Sequence, residues 1–227
     1  MTESPLSHRR EAAARASEGR SDPAIHRVVV AELLRENASG ALLDVGAGRG
    51  ELVDRLAGLD RFSRLTAADL VEFPGLPRRI EWIRCDLNSP LPVEDETFDT
   101  LLAVEVIEHL ENPWEAARDW FRVLRPGGLA VLTTPNSESL RSLVTLAVRG
   151  NFAAFADENF PAHLTALVRT DIRRVVEAAG FELVRFFPIG HGVVPSFTRL
   201  TWQRVSRGLL SGLRFSDNIG CVLERGT

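Results

Sequence analysis

The sequence predicts an α/β fold in which helices flank a mostly parallel sheet. Short apolar runs, which are typical of buried strands, alternate with stretches of helical periodicity along most of the chain. The first run, residues 41–43, leads into a turn with three glycines at alternate positions, and a helical pattern follows at once. Strand, glycine turn and helix in this order begin a nucleotide-binding α/β unit.

Length and composition fit one globular domain. The chain has 227 residues, of which 44% are hydrophobic, and this is enough for a sizeable core. The formal net charge of −4 provides no global basic field, which argues against nucleic acid as a partner. The N-terminal residues lack the apolar core of a secretion signal, and no run is long enough to span a membrane. We therefore predict a cytoplasmic location.

The N-terminal part divides into a tail and a first helix. Residues 1–21 are rich in Ala, Arg, Glu and Ser, and we predict a disordered tail there. Asp22 followed by Pro23 predicts the start of a helix that reaches about Glu36. Residues 22–227 are predicted to form one domain.

The remaining elements follow in alternation. Predicted strands lie at residues 41–45, 65–69, 80–85, 100–104, 129–133, 181–187 and 218–224. Predicted helices lie at residues 51–59, 114–124, 140–148 and 171–179, with Thr170 as the cap of the last. Residues 71–79 contain two prolines and are too short for the helical crossover that parallel strands normally require.

The glycine turn favours a cationic ligand over a dinucleotide. The dinucleotide pattern is G-x-G-x-x-G, whereas the glycines here are Gly46, Gly48 and Gly50, with Ala47 between the first two. Asp44 at the preceding strand end would repel a pyrophosphate but attract an ammonium or sulfonium group. An NAD-dependent enzyme is the alternative against which this spacing counts.

Two further acids end the next two predicted strands. Asp69, followed by Leu70, is suited to accept hydrogen bonds from ribose hydroxyls. Asp86, followed by Leu87, fits an adenine site in which the carboxylate accepts from the amino group and a backbone N–H meets the ring. For each acid the alternative is that it only begins a turn.

These features resemble the class I S-adenosylmethionine (SAM)-dependent methyltransferases over residues 41–136. Two later stretches belong to the resemblance: Glu-Val-Ile-Glu-His-Leu at 105–110 and Leu-Arg-Pro-Gly-Gly at 124–128. The former is similar to the small-molecule O-methyltransferases of ubiquinone biosynthesis. The resemblance implies SAM as cofactor and a Rossmann-like, doubly wound, mostly parallel seven-stranded sheet. Residues 137–169 form an insertion after strand five that is too long for a plain loop, and we predict a substrate-binding lid there.

The resemblance also implies roles for individual residues. The implied cofactor-binding residues are Asp44, Gly46, Ala47, Gly48, Gly50, Asp69, Leu70, Asp86, Leu87 and Glu105. The candidate catalytic residues are Glu105, which would line the methyl-transfer site, and His109 and His163, whose ordinary pKa near neutrality suits a general base. The alternative for both histidines is that they only hydrogen-bond their loops.

The predicted acceptor is a hydroxyl of a small molecule or of a lipid- or sugar-linked compound. A non-catalytic SAM-binding domain is one alternative. A metal-dependent RNA 2′-O-methyltransferase is another, because Glu105, Glu108, His109 and His163 resemble the ligand set of small-RNA methyltransferases. We predict no bound metal, and the sequence indicates no oligomeric state.

Residues 196–215 combine four arginines with apolar residues and contain no acid. This basic amphipathic pattern predicts a helix packed on the sheet edge. The alternative is an interfacial helix that makes peripheral contact with anionic lipid or an amphiphilic substrate.

Overall fold

The computed structural model describes Glu11, Gly19 and residues 21–72, 79–195 and 197–227. The strands are β1 (Gly40–Val45), β2 (Phe62–Asp69), β3 (Glu81–Arg84), β4 (Phe98–Val104), β5 (Leu124–Pro135), β6 (Phe181–Ile189), β7 (Val193–Val194), β8 (Phe197–Thr201) and β9 (Asn218–Arg225). The helices are α1 (Pro23–Arg35), α2 (Glu51–Leu56), α3 (Pro113–Val123), α4 (Leu140–Arg149), α5 (Arg169–Ala179) and α6 (Trp202–Val205). Short 3₁₀ helices span Ile107–His109, Asp157–Asn159 and Leu213–Phe215.

Seven of these strands form one sheet in the order β3-β2-β1-β4-β5-β9-β6. The pairs β1–β2, β1–β4, β2–β3 and β4–β5 are parallel. β9 is antiparallel to both β5 and β6. This is the predicted Rossmann-like, mostly parallel, seven-stranded sheet, and each predicted strand is present in it.

Helices cover both faces of the sheet, as doubly wound topology requires. One core layer contains Val29 of α1 and Val53 of α2, both with no exposed surface. The layer on the opposite face contains Ala117 of α3 and Val176 of α5, which are equally buried. Because both faces are covered, the central strands are largely apolar, and β1 is buried from Ala41 to Val45.

The start of α1 agrees with the prediction. Asp22 Oδ1 accepts a hydrogen bond from Ala24 N at 2.7 Å, and Pro23 occupies the first helical position. A carboxylate here satisfies a backbone N–H that has no partner within the helix.

The predicted cap of α5 is wrong. The helix begins at Arg169, and Val168 is its N-cap without a side-chain hydrogen bond, so Thr170 lies inside the first turn. Glu138 Oε2 accepts from Arg169 N at 2.9 Å instead. A carboxylate from a distant loop thus satisfies a backbone N–H at the start of the helix, as a local cap would.

The predicted helix at 196–215 is also wrong. This stretch forms β8, the single turn of α6 and a 3₁₀ turn, and β8 pairs with β7 as a separate hairpin. Arg207, Gly208 and Gly212 have φ of 53°, 88° and 87°, which a right-handed helix cannot contain.

Two predictions concern residues outside the described part. The tail, residues 1–21, is described only at Glu11, Gly19 and Ser21, and the short crossover at 71–79 is not described over residues 73–78. Within the described residues, no helix is both long and apolar enough to span a bilayer.

Candidate active site

The glycine turn after β1 has the backbone conformation that only glycine adopts readily. Gly46, Gly48 and Gly50 have φ of 73°, 53° and 72°. A Cβ at position 46 would also lie 2.4 Å from Val106 Cγ2, so the side chain of Val106, in the loop after β4, leaves no space for any residue but glycine here. The sequence-based choice of these glycines is therefore explained by geometry.

Gly19 lies against the same turn. Its carbonyl accepts a hydrogen bond from Arg49 N at 3.0 Å. A Cβ at Gly48 would lie 2.3 Å from that carbonyl oxygen. One described residue of the N-terminal stretch is therefore part of the walls around the glycine turn.

Asp69, at the end of β2, ties the glycine turn to its own strand. Its Oδ2 accepts from Gly48 N at 2.8 Å, and its Oδ1 accepts from Leu70 N at 2.6 Å and Val71 N at 3.3 Å. Burial raises the pKa of Asp69, and these N–H donors oppose the rise. Oδ2 accepts only one of these hydrogen bonds and has a second lone pair, so the carboxylate can still accept from a ligand hydroxyl.

Asp44 is 2% exposed and faces the same region. Burial, followed by the charge of Asp69, raises its pKa to about 8. A cationic group placed here would stabilise both carboxylates, because it supplies the positive charge that the buried pair lacks. Asp44 beside the bare glycine backbone therefore suits a ligand with a cationic group, and its assignment to SAM stays a prediction.

Asp86 forms the turn that the sequence left as the alternative. Its Oδ1 accepts from Asn88 N at 3.0 Å and from Asn88 Nδ2 at 3.3 Å. Leu87 is partly buried, and its Cδ1 would lie 3.6 Å from a Cβ at Gly46, so it lines the space beside the glycine turn. The adenine contact of Asp86 and Leu87 remains a prediction.

Glu105 follows β4 directly and has a φ of 55°. Its N–H donates to Thr133 O at 3.1 Å and Thr133 Oγ1 at 3.0 Å, and that hydroxyl donates back to Glu105 Oε1 at 2.9 Å. Burial, together with the neighbouring Glu108 carboxyl, raises the pKa of Glu105 well above its ordinary value. Thr133 was not singled out in the sequence, because a threonine in a buried strand is unremarkable by composition.

His109 and His163 lie next to each other, with ring centroids 4.9 Å apart. Nδ1 of His109 lies 2.7 Å from Ala162 O, and Nδ1 of His163 lies 2.6 Å from Ala154 O. Burial is the largest effect on both and lowers the pKa of each imidazole. The loop-holding role considered for both histidines is thus present, and the Glu105 backbone is a second hydrogen-bond partner of His109.

Glu108 anchors the segment 137–169 to the body of the domain. Its carbonyl accepts from Leu164 N at 2.8 Å and from Thr165 N at 3.0 Å, and Thr165 Oγ1 donates to Leu110 O at 2.7 Å. The 3₁₀ helix after β4 therefore fixes His163 beside His109.

A cavity of about 700 Å³ opens beside these residues. Glu105 and His163 belong to its wall, and the rest comes from the first turns of α1, from residues 135–142 and 153–159, and from the ends of the strands at 189–193 and 217–218. Its polar lining residues that the sequence did not single out include Arg27, Asn136, Ser139, Arg141, His191 and Asp217. They come from several elements far apart in the chain, and no local motif marks them.

Comparison with known proteins agrees with this geometry. A family model described as a methyltransferase domain matches residues 12–185. A probable S-adenosylmethionine-dependent methyltransferase of Mycolicibacterium smegmatis is 30% identical over 172 residues, covering 74% of this chain and 62% of that protein. The mitochondrial ubiquinone biosynthesis O-methyltransferase of Rattus norvegicus is 32% identical over 109 residues, covering 44% of this chain and 32% of that protein.

Among solved structures, a SAM-dependent methyltransferase from Archaeoglobus fulgidus has a TM-score of 0.62 at 18% identity, covering 88% of this chain and 94% of that one. This likeness concerns the fold. The chain spans less than two thirds of the length of both relatives given above.

Proposed function

Because the chain belongs to the class I SAM-dependent methyltransferases and uses S-adenosylmethionine as cofactor, we propose that it methylates a hydroxyl of a small molecule, free or linked to lipid or sugar. The observation that carries this proposal is the cavity of about 700 Å³, which has Glu105 and His163 in its wall. A cavity of this size suits a small organic acceptor.

The cofactor is assigned to the carboxyl edge of the sheet. Asp44 would hold the amino group, the backbone of the glycine turn the aminoacyl part, and Asp69 with Leu70 the ribose. Asp86 and Leu87 would hold the adenine. The support is the buried Asp44 and the partly buried Asp69 beside two glycines, Gly46 and Gly48, with no room for a Cβ.

SAM supplies an electrophilic methyl on a sulfonium, so the protein must mainly orient an acceptor and exclude water. The acceptor oxygen forms its bond to the methyl carbon as the methyl–sulfur bond breaks, and S-adenosylhomocysteine is released. The hydroxyl proton is assigned to Nε2 of His163 or His109. A carbonyl can only accept, so Nδ1 of His163 carries the proton and its Nε2 keeps a lone pair. His109 has the Glu105 backbone as a second partner besides Ala162 O.

The lid role of residues 137–169 is part of the same proposal. Ser142 Oγ accepts from Ala153 N at 3.1 Å, which ties α4 to the loop that carries the cavity wall. A segment that is bonded internally and anchored at Glu108 can cover an acceptor without rearranging the sheet.

A test starts with calorimetric titration of S-adenosylhomocysteine, followed by a screen of hydroxyl, amine and carbon acceptors for its release. The proposal expects saturable binding and turnover with hydroxyl compounds. Binding without turnover would favour a non-catalytic SAM-binding domain, and turnover on RNA would favour the RNA alternative, against which the net charge of −4 counts.

The segment 197–215 retains its proposed contact with anionic lipid or an amphiphilic acceptor, though as a hairpin and loop. Phe197, Val205 and Leu209 are 59%, 58% and 87% exposed. Arginines at 199, 204, 207 and 214 lie in the same stretch. Exposed apolar side chains combined with basic charge suit an anionic interface.

A further inference from the structure

Two polar atoms in the wall of the cavity have no hydrogen-bond partner among the described residues. Ser137 is 2% exposed, and its buried Oγ is unpaired. Oδ1 of Asp217 is likewise buried and unpaired. Both residues line the cavity of about 700 Å³. Because a buried polar atom without a partner costs free energy, two such atoms in one wall indicate that a ligand supplies the missing hydrogen bonds.

Ser137 and Asp217 lie on neighbouring stretches of backbone. The antiparallel pairing of β5 with β9 ends one residue before Asn136 and one residue after Asp217. Asn136 N then donates to Asp217 O at 2.7 Å, and its Nδ2 donates to Ser216 O at 2.8 Å. The loop that carries Ser137 is therefore fixed against the segment that carries Asp217, and the two unpaired atoms belong to one built site.

The other oxygen of Asp217 is fully engaged. Oδ2 accepts from Arg141 Nη1 at 3.1 Å and from Val193 N at 3.0 Å. The guanidinium of Arg141 balances the charge of this carboxylate. A ligand group at Oδ1 must therefore donate a hydrogen bond, but it need not be cationic.

A neutral hydroxyl is the ligand group that suits both unpaired atoms. It can donate to Asp217 Oδ1 and, with its own lone pairs, accept from the Ser137 hydroxyl. A carbonyl or an ether has no proton for the carboxylate. An ammonium group has no lone pair for the serine, and it would lie near the charge of Arg141.

The rest of the wall is polar rather than aromatic. Among the described residues that line the cavity, Phe155 is the one carbocyclic aromatic, and its ring already packs against His163 with centroids 5.4 Å apart. Small polar side chains line the same space: Asn136, Ser139, Ser142, Asn159 and Asn218. A wall rich in short hydrogen-bonding side chains suits a compound with several hydroxyl groups better than a flat aromatic one.

We propose that Ser137 and Asp217 form a subsite for one hydroxyl of a polyhydroxylated, sugar-type acceptor, while another hydroxyl of the same molecule is methylated beside Glu105. Glu105 belongs to the wall of the same cavity. The inference rests on the proposed function, because it names the class of acceptor for that site. Ser137 and Asp217 take no part in methyl transfer itself and determine which acceptor is held.

The test compares two pairs of compounds that differ by one hydroxyl: cyclohexane-1,2-diol with cyclohexanol, and catechol with phenol. Binding to the full-length protein is measured by NMR titration, with and without saturating S-adenosylhomocysteine. The wild type should bind the cyclohexane diol at least about tenfold more tightly than cyclohexanol, because the single hydroxyl leaves buried polar groups unpaired.

Three variants locate this preference. Ser137→Ala should remove most of it, and Ser137→Thr, which keeps the hydroxyl, should retain it. Asp217→Asn should weaken it as well. The amide oxygen is required by the donors Arg141 and Val193, so the amide NH₂ takes the place of Oδ1 and cannot accept.

Melting temperature distinguishes a ligand subsite from a structural hydroxyl. Ser137→Ala removes a hydroxyl that has no protein partner, so the variant should melt at the same temperature as the wild type or higher. The control is Thr100→Val, which removes a hydroxyl that is also buried but donates to Ser39 O at 3.2 Å. It should melt at a lower temperature and keep the diol preference.

Equal or undetectable binding of the cyclohexane diol and cyclohexanol by the wild type would overturn the subsite, as would an unchanged preference or a lower melting temperature in Ser137→Ala. A preference confined to catechol over phenol would overturn the sugar-type class. Failure of S-adenosylhomocysteine to bind the wild type would overturn the proposed function, whereas the titrations without it would still decide the subsite.

Discussion

Glu105 combines a strained backbone with a central place in the candidate site. Placing a residue that has a Cβ in the left-handed region costs about 1–2 kcal/mol of conformational free energy. Such residues persist where the surrounding structure fixes them, and they are concentrated at functional sites. Thr133 holds Glu105 through both its backbone and its hydroxyl. The sequence could place Glu105 at a strand end, but it could not reveal a partner 28 residues away.

Replacing Glu105 separates strain from chemistry. Glu105→Gly should raise the free energy of unfolding by up to about 1 kcal/mol relative to Glu105→Gln, because relief of strain outweighs the entropy cost of glycine. Both variants should lose methyl transfer. Urea denaturation and a turnover assay measure the two effects, and a glycine variant less stable than the glutamine variant would contradict the strain.

Gly46 and Gly150 form a matched pair. Both have positive φ, 73° and 82°, but a Cβ at Gly46 would meet Val106, whereas none of the described residues lies within 4 Å of a Cβ at Gly150. Gly150→Ala should cost about 1 kcal/mol of stability from backbone strain alone. Gly46→Ala should cost about 1–3 kcal/mol more through the clash and weaken S-adenosylhomocysteine binding.

Thermal or urea unfolding and calorimetric titration measure this comparison. The Gly150 variant should bind S-adenosylhomocysteine like the wild type, since it lies beyond the end of α4. Equal losses of affinity in both variants would show that the turn at Gly46 has no special role.

At the scale of elements, short sequence patterns predicted the strands correctly, but they missed a helix cap whose side chain comes from a distant part of the chain. Asp22 lies two residues from the N–H that it satisfies, so the sequence predicted it. Glu138 lies 31 residues from the helix end that it caps, so no local pattern could reveal it. The stretch 196–215 was likewise mispredicted as a helix from its amphipathic composition, whereas it contains a hairpin strand and glycines with positive φ.

The pair Glu138–Arg169 gives a pH-dependent prediction. Hydrogen bonding to Arg169 lowers the pKa of Glu138 below its ordinary 4.5, so its stabilising effect is complete above pH 4.5 and disappears as pH falls through the lower folded value. Glu138→Gln should cost about 0.5–1 kcal/mol at pH 7, a small value because both side chains are about one-third exposed.

Denaturation of this variant and the wild type from pH 7 to pH 3 measures that difference. Glu177→Gln removes the looser 3.9 Å pair with Arg173 and should change stability by less than about 0.5 kcal/mol. A Glu138 effect that persists unchanged at pH 3 would show that charge is not its source.

At the scale of the molecule, a net acidic chain presents a basic, partly apolar surface at 197–215. We expect binding to vesicles of anionic lipid at low salt and loss of binding as salt rises, because each surface charge contributes about 1 kcal/mol and is screened within a Debye length. Leu209→Ser should weaken the binding. Co-sedimentation measures it, and equal binding to neutral vesicles, or none at low salt, would contradict the prediction.

The sheet could be predicted from sequence because it depends on short patterns that repeat in order, whereas the cofactor residues assigned to its carboxyl edge stay a prediction. The cavity could not, since Arg27, Arg141 and His191 meet only when α1, α4 and the loop after β6 are packed together. Likewise, the histidines could be found by residue type, but their shared orientation depends on two carbonyls in a long insertion.

β9 comes last among the strands in the chain yet lies inside the sheet, between β5 and β6. During synthesis from the N-terminus, β6 leaves the ribosome with no neighbour to join, because its place depends on a strand still to be made. The nascent polypeptide thus carries open edges on both β5 and β6 until residues 218–225 emerge. That interval is when ribosome-associated chaperones have most reason to shield it.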